Sequence, residues 1–92
     1  MEQEGFEIGR IVKATAGRES GKLFMIVGII DENHVWLVNG KNRTIDKPKK
    51  KKLKHLKPTE ELDYQIREKI LGNRQIFDSE IRKILEALGY ND

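Results

Sequence analysis

A mainly β module followed by two short α-helices is the fold class this sequence predicts, and three observations predict it. Two apolar runs rich in β-branched residues, 11–14 and 23–30, flank a polar loop that holds Gly17 and Gly21. A third run, residues 34–38, ends in Asn39-Gly40, a strong short signal for a hairpin. After Pro58 the apolar period changes, with Leu62, Ile66 and Ile70 recurring every fourth residue.

Each element has its own warrant. Residues 7–14 form the first predicted strand. Ile8, Val12 and Ala14 alternate against Ile11 and Lys13, and the pattern leaves open which set faces inward. Residues 23–30 are apolar on both faces, as expected of a strand that packs inward at one end and meets an appendage at the other; Gly28 marks a bend or bulge. Asp31-Glu32-Asn33 reads as a turn and residues 34–38 as the third strand. Arg43-Thr44-Ile45-Asp46 reads as a short fourth strand, which Pro48 ends or forces to an edge. Residues 53–56 read as a last short strand or 3₁₀ turn closing a five-stranded barrel.

Thr59 is the expected cap of the first helix, with Glu60 and Glu61 at the positive end of its dipole and Gly72-Asn73 as its stop. The second helix is expected over 79–88, capped by Asp78 or Ser79 and ended by Gly89, with Ile81, Ile84, Leu85 and Leu88 on one face. Helices this short are marginal alone, so they are expected to pack on each other through Ile76 and Phe77, and on the barrel or on a partner.

Composition narrows the function. Ninety-two residues, 36% of them charged, leave room for one modest core and none for an enzyme's buried cofactor cleft. The chain has no cysteine, which removes disulfides and thiolate metal sites, and His34 and His55 stand alone without a second ligand at metal spacing. No run approaches the length of a membrane span, and the acidic start, Met1-Glu2-Gln3-Glu4-Gly5, is no signal peptide; a cytoplasmic setting is expected. No nucleophile and base stand out as a pair, so neither catalysis nor a cofactor is expected.

The net charge of +3 conceals an uneven distribution. Residues 1–40 carry four basic and six acidic side chains, residues 58–92 five basic and eight acidic. Residues 41–57 carry nine basic and one acidic. Such a band predicts a polyanionic partner, and its preference for lysine over arginine suits phosphate contact more than base reading.

Gly9-Arg10-Ile11-Val12, Ala16-Gly17-Arg18-Glu19-Ser20-Gly21-Lys22 and Ile26-Val27-Gly28-Ile29-Ile30-Asp31 together resemble a KOW motif. Arg43, Pro48-Lys49-Lys50-Lys51-Lys52 and His55-Leu56-Lys57-Pro58-Thr59 extend the resemblance toward the archaeal and eukaryotic large-subunit ribosomal proteins of the 14e type. The resemblance covers residues 6–59 and implies an SH3-like barrel that binds ribosomal RNA. It divides the chain into a KOW/SH3-like barrel, 6–58, and a helical appendage, 59–92, packed on the barrel. The net-acidic helices depart from the longer basic extensions of ribosomal members and favour a smaller accessory RNA-binding protein.

The expected partner is RNA, ribosomal RNA or the large subunit, with a protein contact through the C-terminal helices, no membrane and no small-molecule substrate. The expected contacts are Arg18 and Lys22 beside the backbone of Gly17 and Gly21, then Lys41, Arg43, Lys47, Lys49, Lys50, Lys51, Lys52, Lys54 and His55. The loop and the lysine band are expected to form one continuous face. A P-loop reading of 17–22 fails, because three residues rather than four separate the glycines and Leu23 follows the lysine. Trp36 reads as core or helix contact ahead of an RNA-facing ring. The rival reading is a KOW-type protein-interaction module of a transcription or translation factor, in which the lysine band is incidental.

Overall fold

The computed structural model describes residues 2–89. Five antiparallel strands, β1 (Arg10–Ala14), β2 (Leu23–Asp31), β3 (His34–Val38), β4 (Lys49–Lys52) and β5 (Leu56–Leu62), form one open sheet in the order β4-β3-β2-β1-β5. Two helices follow, α1 (Tyr64–Leu71) and α2 (Asp78–Ala87).

The sheet does not close, yet it cannot be flat. β4 and β5 lie at opposite edges and are joined only by the 3₁₀ turn Leu53–His55. Crossing a flat five-stranded sheet needs about 19 Å at roughly 4.8 Å per strand. Four residues reach at most about 14 Å. The edges must therefore curl toward each other. Two backbone bonds fix the curl: Leu53 N–H donates to Asn33 O and Thr15 N–H to His55 O, both at 2.9 Å.

Alternation then sorts the side chains into two cores. Val12, Ala14, Phe24, Ile26, Val35 and Leu37 fill the concave side with Leu56. Ile11, Met25 and Val38, one position out of phase, meet Ile66, Ile81 and Leu85 of the helices on the other side. The open question about β1 is thus settled, with Val12 and Ala14 inward and Ile11 beneath the helices. β2 is apolar on both faces because one face packs the concave core and the other the helices, along its length rather than end by end. Its register with β3 shifts between Ile26 and Gly28, which is the irregularity expected at Gly28.

Three expectations about element boundaries need correction, and so does one about packing, since Phe77, expected between the helices, is more than half exposed. Residues 43–46 are not a strand; they belong to the connection folded around Asn39, whose Oδ1 accepts from the Lys41 and Arg43 N–H groups. The fourth strand is the lysine run itself, and Pro48 precedes it. The helix does not begin at Thr59. β5 continues through Pro58 to Leu62, so the boundary expected at residue 58 falls inside a strand. Thr59 Oγ1 donates to Ile11 O at 2.7 Å, and Asp63 caps α1, accepting from Ile66 N–H at 2.9 Å. Finally, Asp78 and Ser79 do not cap α2. Phe77 holds that position, its N–H donating to Glu80 Oε1, while Asp78 Oδ1 accepts from Ile45 N–H at 2.9 Å.

The helices seat on glycine. A Cβ at Gly40, at φ 78°, would lie 2.5 Å from Asp78 O, and one at Gly9, at φ 96°, would lie 2.8 Å from Asp63 O. Helix starts this close to the sheet tolerate no side chain beneath them. Ion pairs complete the seating. Arg67 of α1 holds Glu2 through two bonds of 2.7 and 3.0 Å, and Lys69 holds Glu80 of α2 at 2.7 Å. The Arg67 guanidinium holds the Glu2 carboxyl below the usual range, and Lys69 does the same to Glu80.

Candidate nucleic-acid interface

The site is built from the β1–β2 loop, the connection after β3, and β4. The loop is a compact turn: Gly21 N–H donates to Ala14 O at 2.7 Å and Lys22 N–H to Glu19 O at 3.0 Å. Gly17 and Gly21 have φ of 84° and 89°, so both are needed for the turn. Neither is crowded; a Cβ at Gly21 would meet nothing, and one at Gly17 only the Lys51 amine.

That amine is the link between loop and band. Lys51 Nζ donates to Ala16 O at 3.3 Å, across thirty-five residues of chain. A second tie runs through Glu19, whose carboxylate accepts from Asn42 Nδ2 and Arg43 Nε, each at 3.3 Å. Burial opposes ionisation of Glu19, but the Arg43 and Asn42 bonds outweigh it and its carboxyl lies below the usual range, with Lys49 adding to the field.

Because the lysine run is a strand, its side chains alternate. Lys49 and Lys51 pair with Leu37 and Val35, the inward residues of β3, and so point toward the concave side and the loop. Lys50 and Lys52 pair with Trp36 and His34 and share the outer face. The four lysines therefore straddle an edge instead of lining one face.

The remaining residues distribute as follows. Arg18 and Lys54 are exposed and Lys22 is half-buried, at the loop and in the 3₁₀ turn. Lys41 and Lys47 are exposed on the connection before β4. His55 is half-buried, and its carbonyl takes the bond from Thr15. Arg43 is occupied by Glu19, which gives it the geometry of a clamp within the site. Among the described residues no ion pair engages Arg18, Lys22, Lys49, Lys50, Lys52 or Lys54.

Sequence reasoning did not group Lys13 with the basic residues. It is exposed on β1 and lies directly across from Lys57 of β5. Like charges facing each other across strands are unfavourable in the free protein, and an anion relieves them. The signal was the alternation Val12-Lys13-Ala14, legible only once β5 is known to run beside β1. His34 Nδ1 lies 2.8 Å from Asp31 Oδ1, and among the described residues no group of three or more potential metal ligands occurs.

No protein-family model matches the chain. Curated relatives do. Large ribosomal subunit protein eL14 of Desulfurococcus amylolyticus is 40% identical over 86 residues, 94% of this chain and 82% of the relative. The Sulfolobus acidocaldarius protein of the same name is 35% identical over the same shares, and that of Pyrobaculum arsenaticum 32% identical over 90% of this chain and 74% of its own. A match over 94% of the chain takes in most of residues 64–87, so the helical region lies within the aligned span. Similarity of this extent in both directions carries the assignment: the chain belongs to the large ribosomal subunit protein eL14 family.

Proposed function

We propose that this chain is a non-catalytic RNA-binding component of the large ribosomal subunit, working in the cytoplasm. It holds structured ribosomal RNA through the cations gathered around the β1–β2 loop and the β4 edge. The observation that carries the reading is the Lys51 bond to Ala16, which joins the loop and the lysine strand into one cationic rim. Phosphates along an RNA backbone match such a rim, releasing condensed counterions on binding. The family supports an integral place in the subunit over an accessory role.

The same reading takes the curled sheet as a KOW-type, SH3-like barrel left open at its edges, with β5 as its last strand and the helices as its appendage. Two observations support it, the short 3₁₀ link between edge strands and the glycine-bounded first loop. Tyr64, Leu71 and Phe77, all more than half exposed, supply the surface for a neighbouring protein.

Exchanging Lys49, Lys50, Lys51 and Lys52 for Glu tests the reading. RNA binding should disappear while the circular dichroism spectrum stays that of the folded chain. Unchanged affinity for large-subunit ribosomal RNA fragments would sink it.

A further inference from the structure

Trp36, the only tryptophan, lies on the outer face of the sheet and is 38% exposed. Its indole occupies the space over Gly28, where a Cβ would meet Trp36 Cδ1 at 3.0 Å. The ring is thus laid against the sheet with part of its surface left uncovered. Beside it runs a groove of about 460 Å³, lined by the aliphatic side chains of Val27, Ile45, Ile70 and Ile76 together with Trp36, Pro48 and the link between the helices, residues 73–75.

The chemistry of that groove is specific. Asn73 and Gln75 bring amides that both donate and accept, and Arg74 brings a guanidinium, its backbone fixed by the bond from its N–H to Lys69 O at 2.7 Å. None of these three side chains is engaged elsewhere among the described residues. Lys50, the cross-strand partner of Trp36, projects on the same face. No carboxylate lines the groove. An aromatic platform, amide groups for a base edge, a guanidinium in the groove and Lys50 on the same face outside it together suit a nucleotide. An apolar protein side chain would meet the aliphatic lining but leave the amides and the Arg74 guanidinium unused, whereas a base uses both.

We propose that this groove takes one unpaired RNA nucleotide, its base stacked on Trp36 and its phosphates held by Lys50 and Arg74. The proposal rests on the RNA-binding reading and adds a single-strand site to a surface otherwise suited to backbone contact.

The lone tryptophan is its own reporter. The full chain is titrated with a short oligouridylate and with a blunt RNA duplex of equal length, and binding is followed separately by anisotropy of labelled RNA. The oligouridylate should quench Trp36 emission, whereas the duplex should bind without quenching. Trp36→Leu should weaken oligouridylate binding about five- to a hundredfold, with the salt slope unchanged and duplex binding intact. Trp36→Tyr should restore most of the loss. Should Trp36→Leu fail to fold, Arg74→Glu on the surface must weaken the oligouridylate more than the duplex. Oligouridylate binding with unaltered emission and no loss in these variants overturns the nucleotide site and leaves the groove to a protein side chain, with the RNA reading intact. Failure of both RNAs to bind by anisotropy overturns the two together.

Discussion

Replacing Leu85 by alanine asks whether the helices belong to the fold. Leu85 and Ile81 have no exposed surface, and with Ile11 and Met25 they fill the core between sheet and helices. The change removes roughly three methylene equivalents, about 2.4 kcal/mol of burial at ~0.8 kcal/mol each. The cavity left behind raises the loss to about 3–4 kcal/mol. A chain of 92 residues has on the order of 5–14 kcal/mol in total, so the loss is a large share. At about 4–8 °C per kcal/mol, Tm should fall by roughly 12–30 °C. Thermal unfolding followed by circular dichroism reads this directly. Leu88→Ala is the control: at 39% exposure it should shift Tm by only a few degrees. An unchanged Tm for Leu85→Ala would refute the outer core as part of the cooperative unit and make the helices a separate arm.

Three other outcomes are expected. Gly40→Ala should destabilise by more than about 1 kcal/mol, because its Cβ would strike Asp78 O and Arg82, while Gly21→Ala, strained only in φ, should lose about 1 kcal/mol; urea midpoints compare them. Arg18→Glu and Lys50→Glu should each weaken binding to one RNA and lower the slope of log K against log salt by about one contact, and footprints disturbed in two separate patches would show that the loop and β4 do not share a ligand. Stability should fall with acid. Glu2, Glu7, Glu19 and Glu80 are all held below the ordinary 4.5, so folding favours their ionised forms. That contribution is complete above about pH 4.5 and is lost as pH falls through the lowered values; a Tm that holds level from pH 5 to about pH 3 would contradict it.

The three central strands were legible because their signals are local. Alternation, the loop glycines and Asn39-Gly40 need no knowledge of the rest of the chain. β4 was not, because four lysines in a row carry no strand propensity; pairing with β3 imposes the extended form. β5 was hidden for a related reason. Leu56-Lys57-Pro58-Thr59-Glu60-Glu61-Leu62 looks like a helix cap followed by acidic residues, and only Leu56 in it is buried. Pro58 is tolerated there because β5 is an edge strand. The candidate site follows the same division. Which residues are basic was plain, but that Lys49 and Lys51 turn one way and Lys50 and Lys52 the other depends on β4 being a strand. That Arg43 is tied to Glu19 depends on a contact across twenty-four residues.

The placing of the lysines at an edge connects the two roles of β4. An edge strand exposes unpaired backbone groups that invite another strand, and lysine side chains are one way to keep such a partner off. Here they stand on both faces of the edge, so the cationic surface wraps around it from the Gly17 loop on the concave side to Trp36 on the outer side. Their mutual repulsion counts against the free chain, and the phosphates of the proposed RNA partner would relieve it. On the proposed reading, the same four charges guard the edge against protein strands and meet the polyanion. A face-bound lysine patch would achieve only the second, since it would leave the backbone of β4 uncovered. The alternation of a strand, which scatters the band over two faces, is what allows one short segment to do both.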